Sequence, residues 1–373
     1  MAWRYLLQRF NGNGWGDFLH TELPLRDVSI TLGVNSTDEL TAKVSPALAS
    51  LRGDDGLPLF DEWGTAVWAE NDGDIRGGGV LTTSQLAGPE WSLRCIGLAG
   101  YPYGMPYTGS GYLGVEVDPM DTWRAAWDHM QTQPGGNLEL QISAVKSGLK
   151  VGTKLEQIEY DTESGPISFE SGPIKMNWYD THDLGDFIAD LATATPFEYR
   201  EKHWWEGSEI KHALEAGYPR LGRRLTDMRF ALGENILASP TIDRDGSKYA
   251  SDALVLGAGN GRTMIKGYAH NDTGKIRRVV LEEKKSLKTI ASANSRAQAL
   301  VKAALVSGSV SSVILRNHSH APVTAIKPGD EIPLNLSDDW TDQLLWCRVN
   351  SIQLNPDASD DATLSVVRSD QVS

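Results

Sequence analysis

Few residue groupings in this chain have the types and spacing that chemistry needs. Gly257-Ala258-Gly259-Asn260-Gly261-Arg262 follows a strand-like run and carries the glycines of a dinucleotide loop. Such a loop must open into a helix, so that a pyrophosphate meets the helix N-terminus. Here Thr263-Met264-Ile265-Lys266 follows, which is strand-like, so the segment reads as a Gly-rich hairpin. His318 and His320 flank Ser319 and would share one face of a strand, as two metal ligands do. No third ligand is near, and the bland reading is a solvated loop. His129 and His182 lie beside helical stretches but outside any H-E-x-x-H pattern. Asp243-Arg244-Asp245-Gly246 begins like a calcium loop, yet the remaining oxygen ligands and the closing Glu are missing. No G-x-S-x-G elbow occurs. Glu156 with Glu159 is too ordinary a pair among 49 acids to nominate a glycosidase. No catalytic residue, metal ligand or cofactor is nominated.

Three groupings suit contact rather than catalysis. Trp204 and Trp205 are adjacent on a predicted strand, so their indoles point to opposite faces. Either both faces are covered within the chain, or one indole meets a partner. The run from Tyr101 to Tyr112 is built of Tyr, Pro and Gly and cannot form a helix or regular strand. Its rings at Tyr101, Tyr103, Tyr107 and Tyr112 either pack over their own module or form a contact loop. Arg220, Arg223 and Arg224 are a local basic cluster in an acidic chain, read as a solvated face or a partner contact.

The elements that must position these groups are mostly strands. Val28, Ile30, Leu32 and Val34 alternate with small or polar residues, which is period 2. Thr65 to Glu70 is a strand, Asn71-Asp72-Gly73-Asp74 a hairpin turn, and Trp91, Leu93 and Cys95 share a face. This is a barrel or sandwich pattern. A helix then starts at Asp118-Pro119, with Trp123, Ala126, Trp127 and Met130 as its apolar stripe. A second begins near Thr181, and a third near Ser286, closed by Gly308. Leu138 to Ala144 alternates as a strand, as does Phe197 to Trp205, whose Tyr199, Glu201 and His203 share one face. Thr263–Ile265 and Arg277–Leu281 are strand-like. The tail is β again, with a turn at Lys327-Pro328-Gly329-Asp330 and a hairpin from Leu345–Leu354 and Thr363–Arg368.

The fold class is therefore α+β and β-rich: two barrel-like antiparallel modules flanking a mixed middle. The expected boundaries are residues 1–115, 116–306 (helices near 119–131, 182–194 and 287–306) and 307–373. Strands from the middle region would complete the last module. The similar β ends hint at a weak internal duplication.

Composition excludes several classes. The 373 residues suffice for two or three domains without a staple. The formal charge of −14 makes the chain a poor binder of nucleic acid and of anionic membrane surfaces. Cys95 and Cys347 rule out a disulfide scaffold and a Cys-built zinc site; one bridge between them is allowed but not implied. The longest apolar stretch, Ala299 to Val306, is broken by Lys302, so no membrane span is expected. The opening MAWRYLLQRF lacks the core of a signal peptide, which points to synthesis and assembly in a cytoplasm.

Taken in order, several segments resemble the minor tail proteins of actinobacterial phages with long non-contractile tails. They are Leu23 to Leu32 (LPLRDVSITL), Val67-Trp68-Ala69-Glu70 with Ile75-Arg76-Gly77-Gly78-Gly79, and Asp118 to Arg124 (DPMDTWR). Phe197 to Glu201 (FEYRE) follows, with Gly217 to Arg224 (GYPRLGRR) and then Gly257 to Arg262. The likeness runs from about residue 20 to about residue 280 and rests on combination and order, since none of the motifs is catalytic.

The resemblance implies an architecture similar to baseplate hub proteins. It implies a homotrimer whose paired β modules make a pseudo-sixfold ring at the tail tip. The implied partners are distal tail and other minor tail proteins and the tape-measure protein. DNA would pass through the ring without specific binding, and an acidic lumen would help it slide. The contacts would come from the aromatic loop, Trp204, Trp205 and the arginines. The rivals are the six-copy distal tail ring, a module binding cell-surface carbohydrate, and a cell-wall hydrolase, the last disfavoured by the missing catalytic motif.

Overall fold

The computed structural model describes residues 3–154, 156–162, 165–238, 242–243, 246, 249–259, 261–284, 287, 289–305, 309–337, 342–357 and 361–369. The chain opens with seven strands: β1 (Trp3–Phe10), β2 (Trp15–His20), β3 (Arg26–Gly33), β4 (Glu39–Val44), β5 (Thr65–Asn71), β6 (Asp74–Ala87) and β7 (Glu90–Ile96). They lie in the order β3-β4-β7-β6-β5-β1-β2, each antiparallel to its neighbour. The period-2 pattern places Val28, Ile30, Leu40, Ala42, Leu93 and Cys95 in one buried core. The β5–β6 turn has Asp72 at φ 51° and Gly73 at φ 92°, the left-handed pair that a tight hairpin demands.

The middle of the chain covers the outer face of β1 and β5. It contains β8 (Tyr112–Gly114), α1 (Pro119–Gln131), β9 (Leu140–Ile142), β10 (Glu156–Thr162), β11 (Gly165–Ser171), β12 (Ile174–Met176), α2 (Leu184–Ala194), β13 (Glu198–Glu206) and β14 (Glu209–Gly217). Asp118 caps α1 as its position predicts, accepting from the Met120 amide at 2.9 Å, with Pro119 in the first turn. The predicted stripe of Trp123, Ala126, Trp127 and Met130 is buried against Ile188, Phe197 and Tyr199, and against Leu6 and Trp68 of the first strands. Truncating either α1 indole to Ala would cost about 3–5 kcal/mol. The second helix starts at the Asp183 cap, whose carboxylate accepts from Gly185 and Asp186, rather than at Thr181.

The last third holds β15 (Phe230–Ala231), β16 (Ile242–Asp243), β17 (Asp252–Leu256), β18 (Lys266–His270), β19 (Val279–Glu283), α3 (Ile290–Ala304), β20 (Ser309–Val310), β21 (Ser312–Arg316), β22 (Glu331–Ser337), β23 (Asp342–Leu354) and β24 (Asp361–Arg368). β17, β18, β19 and α3 share a small core of their own, built on Ala253, Val255, Ile265, Ala293 and Ala297. α3 begins at the Thr289 cap, later than Ser286, and Gly308 lies outside the described residues. Thr263–Ile265 is not a strand: Gly259 and Gly261 take positive φ and wind a short 3-10 turn first.

β15, β22, β23, β24 and β21 enclose a third core of Phe230, Leu315, Ile332, Leu334, Cys347 and Leu364. Residues 230–237 touch both edges of this group, Phe230 pairing with Leu334 and Ile236 bridging Leu315. No sheet closes fully on itself among the described strands, so the modules are barrel-like rather than barrels. The two end modules are joined. β23 pairs with β3, Ser351 to Leu354 running against Gly33 to Ile30, which makes one twelve-stranded sheet. Cys95 and Cys347 are buried in separate cores and form no disulfide. No helix of the described residues is long and apolar enough to cross a membrane.

Candidate functional site

The β13–β14 hairpin is the hub of the molecule's contacts. The alternation in β13 turns Tyr199, Glu201, His203 and Trp205 toward the first sheet. Glu201 is a buried carboxylate and accepts from the Leu98 and Ala99 amides at 2.7 and 3.1 Å, which caps the 3-10 turn Leu98–Gly100. Gly97 makes room for it, since a Cβ there would sit 2.1 Å from Glu201 Oε1. Beside it Asp38 is buried and accepts from the Gly33 amide. Burial, and then the charge of Glu201, push the Asp38 carboxyl well above its ordinary range, against the pull of that amide.

His203 lies 3.4 Å from Glu201 through Nε2, and its Nδ1 meets Nδ1 of His212 at 2.9 Å. The two histidines are directly opposite in the register. A 2.9 Å contact between two ring nitrogens holds one proton: one donates, the other accepts. The His212 ring stacks on Trp68 at 4.6 Å, and Trp68 Nε1 donates to Gln8. Burial, then His203 and Lys211, hold the His212 imidazole well below its usual range. These groups form a buried seam in which Nε2 of both histidines lacks a hydrogen-bond partner. Among the described residues no set of three or more metal-ligating side chains converges.

Two concavities flank the hairpin. A cleft of about 490 Å³ separates it from the β5–β6 turn and from the last module, with Trp3, Ile75, Trp204, Trp205 and Pro328 in its walls. Trp204 lies half-buried on the outer face of β13, with Lys202 Nζ 5.4 Å from its ring. Trp205 is half-buried against Phe18, and its Nε1 donates to Glu70 at 3.1 Å. The second concavity is an open trough of about 780 Å³ between β9, β14 and the segment before β22. Arg220 and Arg223 line it. Arg224 does not: it pairs with Glu331 and covers the Trp346 ring at 4.5 Å.

The tyrosine loop is strapped down. The Tyr107 amide donates to Thr181 O, the Gly185 amide to Pro102 O, and the Gly104 amide to Asp183. Tyr107 is buried on His129, and Tyr112 reaches Thr122 at 3.1 Å. Tyr101 packs on the core, which leaves Tyr103 as the exposed ring. The larger exposed aromatics are Trp178 and Tyr179, 66% and 57% accessible and in edge contact. Sequence reasoning passed them by, although two adjacent aromatics in the polar run Asn177 to Asp183 are a visible signal. His318 and His320 do lie together, 5.3 Å apart in an exposed loop, and Gly257–Arg262 joins two strands, not a strand and a helix.

No protein-family model and no curated protein matches this sequence. Solved structures match the fold along its whole length. The 43 kDa tail protein of prophage MuSo2 from Shewanella oneidensis aligns with a TM-score of 0.60 at 12% identity, covering 98% of both chains. A tail protein from Neisseria meningitidis MC58 aligns at 0.59 and 12% identity, covering 100% of this chain and 98% of that one. Prophage tail protein gp18 from Listeria monocytogenes EGD-e aligns at 0.51 and 8%, covering 99% and 95%. This chain has the fold of those tail proteins.

Proposed function

We propose that the protein is a structural component of a long-tailed phage tail tip, a non-enzymatic hub ring around the DNA exit channel. The observation that carries this reading is the end-to-end fold match to tail proteins, over 98% or more of this chain. The order of tail-protein-like segments in the sequence supports it independently. In this reading three copies form the ring, and each twelve-stranded sheet supplies two β modules, continuing a sixfold tube. The partners are the distal tail, other minor tail proteins and the tape-measure protein. The −14 charge keeps passing DNA from sticking if the lumen carries its share. The tail belongs to a non-contractile phage of an actinobacterial host, assembled in that host's cytoplasm.

The test is a reconstruction of the intact tail without imposed symmetry. Three copies around the channel are expected. Six copies would move the chain to the distal tail ring, and copies away from the axis would overturn both. A glycan-binding role is the second reading, favoured by the exposed Trp178–Tyr179 pair, whose flat faces suit sugar rings. Binding of the isolated protein to host cell walls, lost in Trp178→Ser, would support it.

A further inference from the structure

The trough beside β14 is basic in a strongly acidic chain. Arg200, Arg220, Arg223 and Lys327 line it, against Glu215 and Asp330. Both carboxylates are already engaged. Glu215 binds Arg200 and Lys202, and Asp330 accepts from the Arg223 and Lys327 amides. The trough therefore keeps a surplus of positive charge. It also has a strand edge left open by the described strands: β9 ends at Ile142, opposite Leu214, and among them Glu215 to Gly217 pair with β13 alone. A free edge flanked by cations suits an extended acidic strand.

The chain itself contains such a strand. β10 and β11 pair with each other from Glu156–Ser171 to Thr162–Gly165 and join no other sheet among the described strands. Residues 156–171 carry five acids, Glu156, Glu159, Asp161, Glu163 and Glu170, and no Lys or Arg. The hairpin touches the 3-10 turn Gly261–Thr263 of its own chain, but a two-stranded hairpin outside a larger sheet is marginal in water and gains from further cover. We propose that the β10–β11 arm of one copy docks in the Arg220/Arg223 trough of a second copy. This deepens the ring reading and rests on it only in requiring that copies meet. It also explains how chains of charge −14 associate: the long-range repulsion is overcome by one local, complementary contact.

The experiment is sedimentation velocity on the full chain at about 50 and about 500 mM salt, where screening lengths differ several-fold. The expected result is association that weakens at high salt. Arg220→Glu with Arg223→Glu should weaken it at least tenfold (about), as should Glu159→Lys with Asp161→Lys, since several close charge pairs turn repulsive. Combining all four should restore it. Circular dichroism of each variant controls for folding, and Arg220 and Arg223 lie outside the buried cores. A wild-type chain that stays monomeric at low salt overturns the proposal. So does association that either pair leaves unchanged, or that the combination fails to restore in a folded variant. Those outcomes leave the ring reading to the copy count in the tail.

Discussion

Asn35 and Tyr199 exchange hydrogen bonds across the joint between the first sheet and the hairpin. The Asn35 amide donates to Tyr199 O at 2.9 Å, and Asn35 Oδ1 accepts from the Tyr199 amide at 2.8 Å. Asn35 Nδ2 also donates to Phe197 O, and the residue sits at φ 50°. An asparagine here imitates one rung of a sheet in a left-handed turn, which few other side chains do. Asn35→Ala should cost about 2–4 kcal/mol in denaturant titration, from two lost bonds and backbone strain. Asn35→Gly keeps the backbone relaxed and should cost about 1 kcal/mol less. Equal losses would mean that strain plays no part.

Arg348 ties the last module to the hairpin. It is buried, pairs with Glu198 and donates to Leu221 O, while Glu198 also accepts the Leu221 amide. Arg348→Ala leaves a carboxylate in a largely dry site and should cost about 3–5 kcal/mol. Arg348→Met with Glu198→Gln should recover most of that loss. The check is the melting midpoint of both variants.

Gly79 is needed for space. A Cβ there would stand 1.9 Å from Ile96 O and 2.3 Å from its carbon, both rigid backbone atoms. Gly79→Ala should therefore split β6 from β7 and cost more than about 4 kcal/mol, or leave the protein insoluble. Gly88→Ala, at a turn with nothing within 4 Å but φ at 60°, should cost only the backbone strain of about 1 kcal/mol.

The Asp38–His212 seam predicts opposed pH responses. Asp38 has a raised carboxyl in the fold, so it binds a proton that the open seam releases above about pH 4. Its stabilising effect is present at low pH and is lost as pH rises through the folded value. His212 has a lowered imidazole, so opening takes up a proton below about pH 6.5. Its stabilising effect is lost as pH falls. Around His212 stand His203 on β13, Lys211 on β14 and the uncharged Trp15 and Trp68; Asp38 faces Glu201. Wherever folded Asp38 still holds its proton and folded His212 still lacks one, the two effects oppose, so opening of the wild-type seam should change little with pH. Asp38→Asn should open about tenfold more per unit of acidification, and His212→Gln about tenfold more per unit of alkalinisation. Hydrogen exchange at Leu98 and Ala99, corrected for intrinsic rates, reads both. Parallel profiles in all three proteins would refute the coupling.

Much of the local structure was legible in the sequence, because its causes are local. Asp118-Pro119 marked the start of α1, and the Trp123 to Met130 stripe marked its buried face. Period 2 in Phe197 to Trp205 placed Glu201 and His203 on one face. What that alternation could not say is that this face is dry. Burial of Glu201 depends on Leu98, Asp38 and Trp68, which are remote in sequence. The exposure of the aromatic rings was legible only in part, for the same reason. Tyr107 is consumed by His129, whereas Trp178 stays two-thirds exposed. The end-to-end junction had no local signal at all, since Ile30 and Leu354 meet across more than three hundred residues.

That junction bears on how the chain is made. Residues 26–33 leave the ribosome early, but the strand that covers their outer edge arrives only with Ser351 to Leu354. Throughout synthesis β3 therefore presents unpaired amides and carbonyls, open to capture by a neighbouring nascent chain. Its own late strand must reach that edge first. Protection of this adhesive edge therefore waits for β23, so only chains that extend past Leu354 present a settled surface for assembly.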